Sequence, residues 1–434
     1  MQEAPITRRQ KILEALGDGV MVLPSAPVPH RSRDTEYRYH PDAELAYATG
    51  ITAPDHLAVF VGGEEARLVV FAPPRDPEAE LWSGAVPELE EVREATGADV
   101  VYSIREADAR LPDLLGRTRT LHVRLGRDAR MDRWVLEALA RARLRGARRG
   151  TGPRTVRDPG EILDEMRIIK DADEIEAIRR AVALTVRGHT AAREAVGAGA
   201  GEWEVEAAFL YAVHMEGGAD DAFPVIVGSG PNACVLHYEA NDRRMEKGDV
   251  VLIDAGAEMA LYCGDVTRTY PVGDAFTPLQ QEVYAIVEAA HGAAIEAALP
   301  GASVKDVHDA AVRVVVRGLM ELGILQGGEE ELTAREAYKP FFPHQTSHWL
   351  GMDVHDPGDY ARDGKGRVLA PGMVLTVEPG LYFRPGMVEA RPELEGIGIR
   401  IEDDLLITPE GHEVLSAGLP LQGGEAMDGE GREP

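Results

Sequence analysis

Acidic side chains at the ends of apolar, strand-like segments constrain the fold of this 434-residue chain more than any other feature. The segment 248–272 (GDVVLIDAGAEMALYCGDVTRTYPV) contains a β-branched and aliphatic run that ends at Asp254. A buried carboxylate without a partner is costly in free energy. The fold must therefore supply Asp254 with a cation or with hydrogen-bond donors.

The same segment predicts a β-hairpin with a four-residue turn at 257–260 and with Gly256 paired to Leu261. Side chains alternate along a strand. This register places Asp254 and Asp265 on one face as diagonal neighbours, with Cβ atoms about 7–8 Å apart or less. A shift of one residue would put them on opposite faces. Two carboxylates this close repel each other unless a cation lies between them.

A second pair of strand-like segments, 374–383 and 396–407, repeats this arrangement. Glu378 ends the apolar run of the first segment. In the second segment, alternating isoleucines place Arg400 and Glu402 together on the opposite face. The sequence therefore predicts a second hairpin, which again carries one carboxylate on each strand.

Between the two hairpins, the segment 341–358 (FFPHQTSHWLGMDVHDPG) contains His344, His348 and His355. The first two are four residues apart, as in the zinc motif H-E-x-x-H, but the glutamate of that motif is absent and proline and glycine interrupt a regular helix. We expect at most one metal ligand here and a second role for the other histidines. A further histidine, His237, ends a short apolar run upstream.

Four carboxylates and one imidazole form a hard, oxygen-rich ligand set. Such a set suits Mn²⁺, and by ligand type also Co²⁺, Fe²⁺ or Zn²⁺, better than a thiolate zinc site would. Four carboxylates offer enough oxygen atoms for two ions. Two ions about 3.5–4 Å apart can hold a bridging hydroxide and polarise a carbonyl, while free histidines can stabilise an oxyanion. The sequence therefore predicts metal-assisted hydrolysis of an amide.

The first half of the chain lacks such a cluster and has a different pattern. Strand-like runs at 20–23, 57–62, 68–72, 98–103 and 120–123 alternate with helical runs at 86–96 and 131–144. This alternation indicates an α/β domain with a largely parallel sheet. The Arg-, Gly- and Pro-rich segment 142–158 predicts a connection, so we expect a domain boundary near residue 168.

Composition excludes several classes of protein. The net charge of −28 argues against a nucleic-acid-binding surface, which needs clustered Lys and Arg. The sequence contains no run of 18 apolar residues, so we expect no membrane span. The N-terminus lacks the apolar region of a secretory signal. Two cysteines in a chain this long favour a reducing compartment. We expect a cytoplasmic protein without nucleic-acid or membrane partners.

The order of the five predicted ligands resembles that of the pita-bread metallopeptidases: Asp254, Asp265, His348, Glu378, Glu402. The stretches HYEAND, IDAGAE, GDVTRTYPV, SHWLGMDVHD, TVEPGLY and GIRIEDD are similar to the Xaa-Pro aminopeptidases, the aminopeptidase P family. RDTEYRYHPDAELAYATG and LWSG extend the resemblance to the N-terminal half. It therefore covers nearly the whole chain.

The resemblance implies an α/β N-terminal domain, 1–167, and an α+β pita-bread catalytic domain, 168–420, with a curved antiparallel sheet. The Gly-rich, acidic residues 421–434 predict a flexible tail. The implied activity is release of the N-terminal residue from peptides with proline in the second position, through a hydroxide that bridges two divalent ions. Mn²⁺ is favoured, with Co²⁺ or Zn²⁺ as alternatives, and a homodimer or homotetramer is implied.

The resemblance also assigns the ligands. Asp254 would bind the second ion only, and Asp265 and Glu402 would bridge both ions. His348 and Glu378 would complete the shell of the first ion. Glu378 would also serve as general base.

Other residues receive substrate roles from the resemblance. His237 and His355 would bind the scissile carbonyl and stabilise the intermediate. His344 would line the pocket on the proline side, and Arg400 would orient a ligand or the substrate. Trp82, in the N-terminal domain, would reach a substrate pocket across a subunit interface.

Three alternatives remain at this stage. Prolidase, the Xaa-Pro dipeptidase, shares the metal ligands and the chemistry, although the stretch around His348 is more similar to aminopeptidase P. Creatinase shares the fold but lacks the ligands. A catalytically inactive pita-bread module that binds other proteins would usually have lost some ligands, and all five are present here.

Overall fold

The computed structural model describes residues 3–388 and 390–421. The chain divides into two compact units, Met1–Met166 and Arg167–Pro434. The sequence placed the boundary after residue 167. The predicted tail, 421–434, lies outside the described residues except for Leu421. No helix in the described ranges is long and apolar enough to cross a membrane.

The N-terminal unit alternates helices with short strands. Its elements are α1 (Glu3–Leu16), β1 (Val20–Pro24), α2 (Ala43–Thr49), β2 (Leu57–Val61), β3 (Arg67–Ala72), α3 (Pro77–Ser83), α4 (Leu89–Thr96), β4 (Val100–Ser103), α5 (Ala107–Leu115), β5 (Thr120–His122), α6 (Ala129–Gly146) and β6 (Thr155–Arg157); α7 (Gly160–Ile168) contains the boundary.

These strands form one six-stranded sheet in the order β4-β3-β2-β1-β5-β6. Three pairs are parallel, but β1–β2 and β2–β3 are antiparallel. The sheet is therefore parallel in three of its five strand pairs but mixed as a whole, because β2 runs opposite to both of its neighbours and the short loop 62–66 joins β2 and β3 as a hairpin. The segment 142–158 is not simply a connection, since it contains the end of α6 and the edge strand β6.

Helices cover both faces of this sheet, and β1 shows why. Val20 and Val22 belong to one apolar core, whereas Met21 and Leu23 belong to another. A strand buried on both faces reads as a continuous apolar run rather than an alternating one, as VMVL does here.

The C-terminal unit has four long helices and paired short strands. Its elements are α8 (Ala172–Glu194), α9 (Glu202–His214), β7 (Ala219–Asp221), β8 (Ile226–Ser229), β9 (Val250–Ala255), β10 (Ala257–Met259), β11 (Tyr262–Cys263), β12 (Val266–Pro271), α10 (Pro278–Ala297), α11 (Val304–Glu321), α12 (Glu329–Ala334), β13 (Ala361–Arg362), β14 (Lys365–Gly366), β15 (Val374–Val377), β16 (Gly380–Tyr382), β17 (Gly398–Arg400), β18 (Asp403–Thr408) and β19 (Gly411–Val414). Every strand pair described in this unit is antiparallel.

Both predicted hairpins form, and we call them the first hairpin (250–271) and the second hairpin (374–408). The turn of the first hairpin differs from the prediction. Met259 pairs with Tyr262, so the turn consists of Ala260 and Leu261, with φ angles of 53° and 67°. Positive φ at both central residues is the geometry of a type I′ turn, which matches the twist of the strands.

The corrected register keeps the two aspartates on one face. Asp254 pairs with Thr267 rather than Cys263, a displacement of four residues. An even displacement leaves each side chain on its original face, because side chains alternate with period two. Asp265 lies two residues before Thr267 and is therefore the diagonal neighbour of Asp254.

The two hairpins meet along β12. Glu402 donates its amide hydrogen to the carbonyl of Thr267 over 3.0 Å, and the amide of Asp265 donates to Asp404 Oδ2 over 3.0 Å. These bonds link residues more than 130 positions apart. They bring the carboxylates of both hairpins to one place.

Candidate metal centre

A cavity of about 620 Å³ opens where the hairpins meet. All of its lining residues belong to the C-terminal unit: Phe223, Pro224, Ile226, Leu236, His237, Glu239, Asp254, Asp265, His344, Gln345, Ser347, His348, Val354, His355, Tyr360, Glu378, Arg400, Glu402. The structure therefore brings every predicted site residue except Trp82 to one cavity.

His348 lies at the centre of the carboxylates. Its Nε2 atom is 3.3 Å from Asp265 Oδ2, 3.8 Å from Glu378 Oε1 and 3.9 Å from Glu402 Oε1. Its Nδ1 atom is 3.1 Å from the carbonyl of Trp349. A carbonyl can only accept a hydrogen bond, so Nδ1 carries the hydrogen and the Nε2 lone pair faces the carboxylates.

Arg400 connects the remaining aspartate to this group. Its Nη2 atom donates to Asp254 Oδ2 over 2.5 Å. Its Nε atom donates to Thr267 Oγ1 over 3.2 Å, and that hydroxyl donates to Glu402 Oε2 over 2.6 Å. Arg400 thus contacts one predicted ligand directly and orients another through Thr267.

The electrostatics of the cluster favour a cation. Burial raises the pKa values of Asp265 and Glu402 well above their usual range, and neighbouring carboxylates add to the shift. Burial also raises the pKa of Glu378 to about 7, although His348 and Arg400 oppose the effect. These groups are therefore costly to ionise together without positive charge between them.

Unused oxygen atoms point to the same requirement. Within the described ranges, the buried Oδ1 atoms of Asp254 and Asp265 have no hydrogen-bond partner. Ligand atoms of Asp265, His348 and Glu402 all lie within 4.8 Å of one another. Carboxylate oxygens with one imidazole nitrogen suit hard or borderline divalent ions. The residues present therefore fit a divalent metal centre.

His344 is held as a neutral imidazole at one side of the cavity. Burial, aided by Arg400, lowers its pKa to about 3. Its Nδ1 atom donates to the carbonyl of Gln345 over 2.8 Å. Its Nε2 atom accepts from the hydroxyl of Tyr382 over 2.9 Å, and that hydroxyl accepts from Arg400 Nη1 over 2.9 Å.

The other two histidines also line the cavity. The ring of His355 packs edge-on against His348, with centroids 4.4 Å apart. Burial lowers the pKa of His355, and His348 and His237 lower it further. A neutral imidazole at this position can donate a hydrogen bond to a developing oxyanion.

Trp82 is not among the residues that line this cavity. It lies on α3 of the N-terminal unit, where its side chain is 88% exposed. Its role in a substrate pocket across a subunit interface stays a prediction.

Two residues that orient the predicted site residues were not found from the sequence, Thr267 and Tyr382. Thr267 could not be paired with Glu402 from sequence, because that contact joins separate hairpins. Tyr382 could have been predicted from the strand pairing of the second hairpin. It pairs with Gly398, two residues before Arg400, so it is the diagonal neighbour of Arg400 on the same face.

Comparison with known proteins agrees with this geometry. Residues 176–409 match the family model described as metallopeptidase family M24, and residues 6–123 match that of the aminopeptidase P N-terminal domain. The chain belongs to metallopeptidase family M24. It is 40% identical to the Xaa-Pro aminopeptidase of Escherichia coli K12 over 95% of this chain and 94% of that protein. It is 36% identical to the Xaa-Pro aminopeptidase of Haemophilus influenzae over 90% of this chain and 88% of that protein.

Solved structures show the same similarity in three dimensions. Proline aminopeptidase P II from Yersinia pestis superposes with a TM-score of 0.92 at 40% identity, over 97% of each chain. A zinc-substituted Escherichia coli aminopeptidase P in complex with product has a TM-score of 0.92 at 38% identity, over 97% of this chain and 96% of that one. The predicted fold class and the aminopeptidase P resemblance are confirmed.

Proposed function

We propose that this M24 metallopeptidase releases the N-terminal residue from peptides whose second residue is proline, with two divalent metal ions. The observation that carries the proposal is the convergence of four carboxylates, three of them buried, and His348 in one cavity, with three further histidines around them. Two relatives that match over 90% or more of the chain are named Xaa-Pro aminopeptidases. A peptidase of this class is therefore the function that the site supports best.

The ligands would be shared between the two ions. Asp254 would hold one ion, His348 and Glu378 the other, and Asp265 and Glu402 would contact both. When bound, the ions would polarise the scissile carbonyl and lower the pKa of the attacking water. The oxygen-rich donor set favours Mn²⁺. A related aminopeptidase P accepts zinc, so Co²⁺ and Zn²⁺ are alternatives.

The chain's own residues would handle the proton and the developing charge. Glu378, whose Oε1 atom lies 3.8 Å from His348 Nε2, would act as general base. His237 and His355 would donate hydrogen bonds to the oxyanion of the tetrahedral intermediate. Neutral His344, fixed by Tyr382, would line the pocket for the proline ring.

Metal removal tests the first part of the proposal. We expect a chelator to abolish cleavage of an Xaa-Pro-Yaa tripeptide, and added Mn²⁺ or Co²⁺ to restore it. Elemental analysis should follow the loss and return of activity. Full activity in a sample verified to be metal-free would contradict the proposal.

Substrate length and composition test the second part. We expect a higher kcat/KM for Xaa-Pro-Yaa than for the matching Xaa-Pro dipeptide, because an aminopeptidase leaves room beyond the proline. The matched Xaa-Ala-Yaa tripeptide should be cleaved more slowly, since proline fills the pocket and fixes φ near about −65°. A preference for the free dipeptide would indicate a prolidase instead.

We also propose a cytoplasmic location and a homodimer or homotetramer, without nucleic-acid or membrane partners. The free, buried cysteines Cys234 and Cys263 are consistent with a reducing compartment. The exposed Trp82 is the residue expected to face a neighbouring subunit. Light scattering of the full-length protein and of Trp82→Ala tests the oligomer, and cell fractionation tests the location.

A further inference from the structure

A cluster of four charged side chains, three of them buried, adjoins the catalytic cavity. Arg167 Nη2 donates to Asp356 Oδ1 over 2.6 Å and to Asp353 Oδ2 over 2.7 Å, and Lys170 Nζ donates to Asp356 Oδ2 over 3.0 Å. The side chains of Arg167, Lys170 and Asp356 are only 1–2% exposed. Arg167 in the last turn of α7 and Lys170 just after that helix thus enclose one carboxylate that water hardly reaches.

The carboxylate of Asp356 organises the loop 351–357, which we call the His355 loop. The Oδ1 atom of Asp356 accepts from the amide of Asp353 over 3.2 Å. The backbone amide of Asp356 donates to the carbonyl of Trp349 over 2.9 Å. Gly351 packs so closely that an added Cβ would lie 2.5 Å from Asp356 Oδ2. The conformation of the loop therefore depends on where this carboxylate is held.

His355, which precedes Asp356, has little else to fix it. Within the described residues, neither ring nitrogen of His355 has a hydrogen-bond partner, and the ring contacts only one other ring, that of His348. The backbone of the His355 loop therefore helps to set the direction of the imidazole. A misplacement of about 1 Å in a catalytic group can cost about 100-fold in rate.

Stability alone does not account for this cluster. Removing charges from water is expensive, and a buried ion network is often no more stabilising than apolar residues of the same volume. Such networks can instead specify one conformation. Although burial opposes it, Lys170 and Arg167 lower the pKa of Asp356, so the carboxylate stays ionised and paired.

We propose that Arg167 and Lys170 are positioning residues for the peptidase reaction. Through Asp356 they hold the His355 loop, so that the imidazole of His355 points at the scissile carbonyl. The inference rests on the proposed function, because His355 acts there on the oxyanion. It adds two residues that do not line the cavity to the set that determines the rate.

Kinetics of the full-length, Mn²⁺-supplemented protein on an Xaa-Pro-Yaa tripeptide provide the first test. We expect Asp356→Asn to lower kcat about 100-fold and Lys170→Met about 10-fold, with KM changed by less than about threefold. Both variants should retain two metal ions. Lys170→Met leaves Asp356 paired with Arg167, so it should fold even if Asp356→Asn does not.

A double-mutant cycle separates positioning from a general structural role. In a His355→Ala background, Asp356→Asn and Lys170→Met should each cost less than about threefold, because the residue through which they act is gone. The same loss in both backgrounds would overturn the proposal. The matched control is Glu44→Gln, a carboxylate of the N-terminal unit that is also buried and paired with an arginine, Arg124. Its activity should stay within about twofold of the parent.

Hydrogen exchange supplies a readout that does not need activity. Amides of the His355 loop should exchange faster in Asp356→Asn and Lys170→Met than in the parent, whereas those of the first hairpin should not change. Unchanged exchange in the loop would overturn the positioning role. An inactive parent protein would instead contradict the proposed function, so the two failures are distinguishable.

Discussion

The two hairpins position the carboxylates of the candidate metal centre in different ways. In the first hairpin, Asp254 lies inside a ladder of hydrogen-bonded strands, paired with Thr267 on one side and Ile226 on the other. In the second hairpin, paired strands stop at Val377 and Asp403 and resume at Gly380 and Arg400, which leaves Glu378 and Glu402 at the break.

The carboxylates at such breaks are held by other segments. The amide of Glu378 donates to the carbonyl of Thr346 over 2.8 Å, and that of Glu402 donates to Thr267. Asp265 lies just before β12 and behaves in the same way, since its amide donates to Asp404 Oδ2. The local ladder therefore positions Asp254, whereas tertiary contacts position the other three carboxylates.

The largest expected effect comes from removing one carboxylate at the break. Glu402→Ala should lower kcat/KM by more than about 100-fold, the upper range for residues that only orient a ligand. Metal content should fall with it, as measured by elemental analysis. The control, Glu395→Ala, removes a half-buried glutamate from the loop of the same hairpin, where it accepts from the amide of Gly386. Equal losses in both variants would refute the ligand assignment.

An intermediate effect should follow when the contact between the hairpins is weakened. Thr267→Val removes the hydroxyl that links Arg400 to Glu402, so activity should fall about 10- to 100-fold. Thr269→Val is the matched control, because its hydroxyl bonds only to the backbone of Arg400. The control should lose about 1 kcal/mol of unfolding free energy and little activity. Kinetics and denaturant unfolding of both variants would show whether Thr267 couples the hairpins.

The smallest expected effect concerns the local geometry of the first hairpin. Ala260→Gly should raise the free energy of unfolding by up to about 1 kcal/mol, because glycine accepts positive φ without a steric penalty. The control, Ala293→Gly in the C-terminal half of α10, should lower the free energy of unfolding by about 0.5–1 kcal/mol. A destabilised Ala260→Gly variant would mean that the turn is not strained.

Much of the site could be predicted because its signals are local. Alternation along a single strand placed Arg400 and Glu402 on the same face. The predicted register of the first hairpin was displaced by an even number of residues, so Asp254 and Asp265 stayed on the predicted face. The N-terminal sheet was predicted less well. A strand that is buried on both faces, such as β1, has the same continuous apolar sequence whether its neighbour is parallel or antiparallel. Only the short loop 62–66 could therefore have indicated that β2 and β3 form a hairpin.

The sequence by itself determined which candidate ligands the chain offers, their order along the chain, and the shared face of Asp254 and Asp265. These follow from side-chain chemistry and from the two-residue period of a strand. Only the tertiary structure decided that Thr267 bridges the hairpins and that Asp356 joins Arg167 and Lys170. Those contacts span more than 130 residues, and a long-range pairing leaves no periodic trace in the local sequence from which it could be inferred.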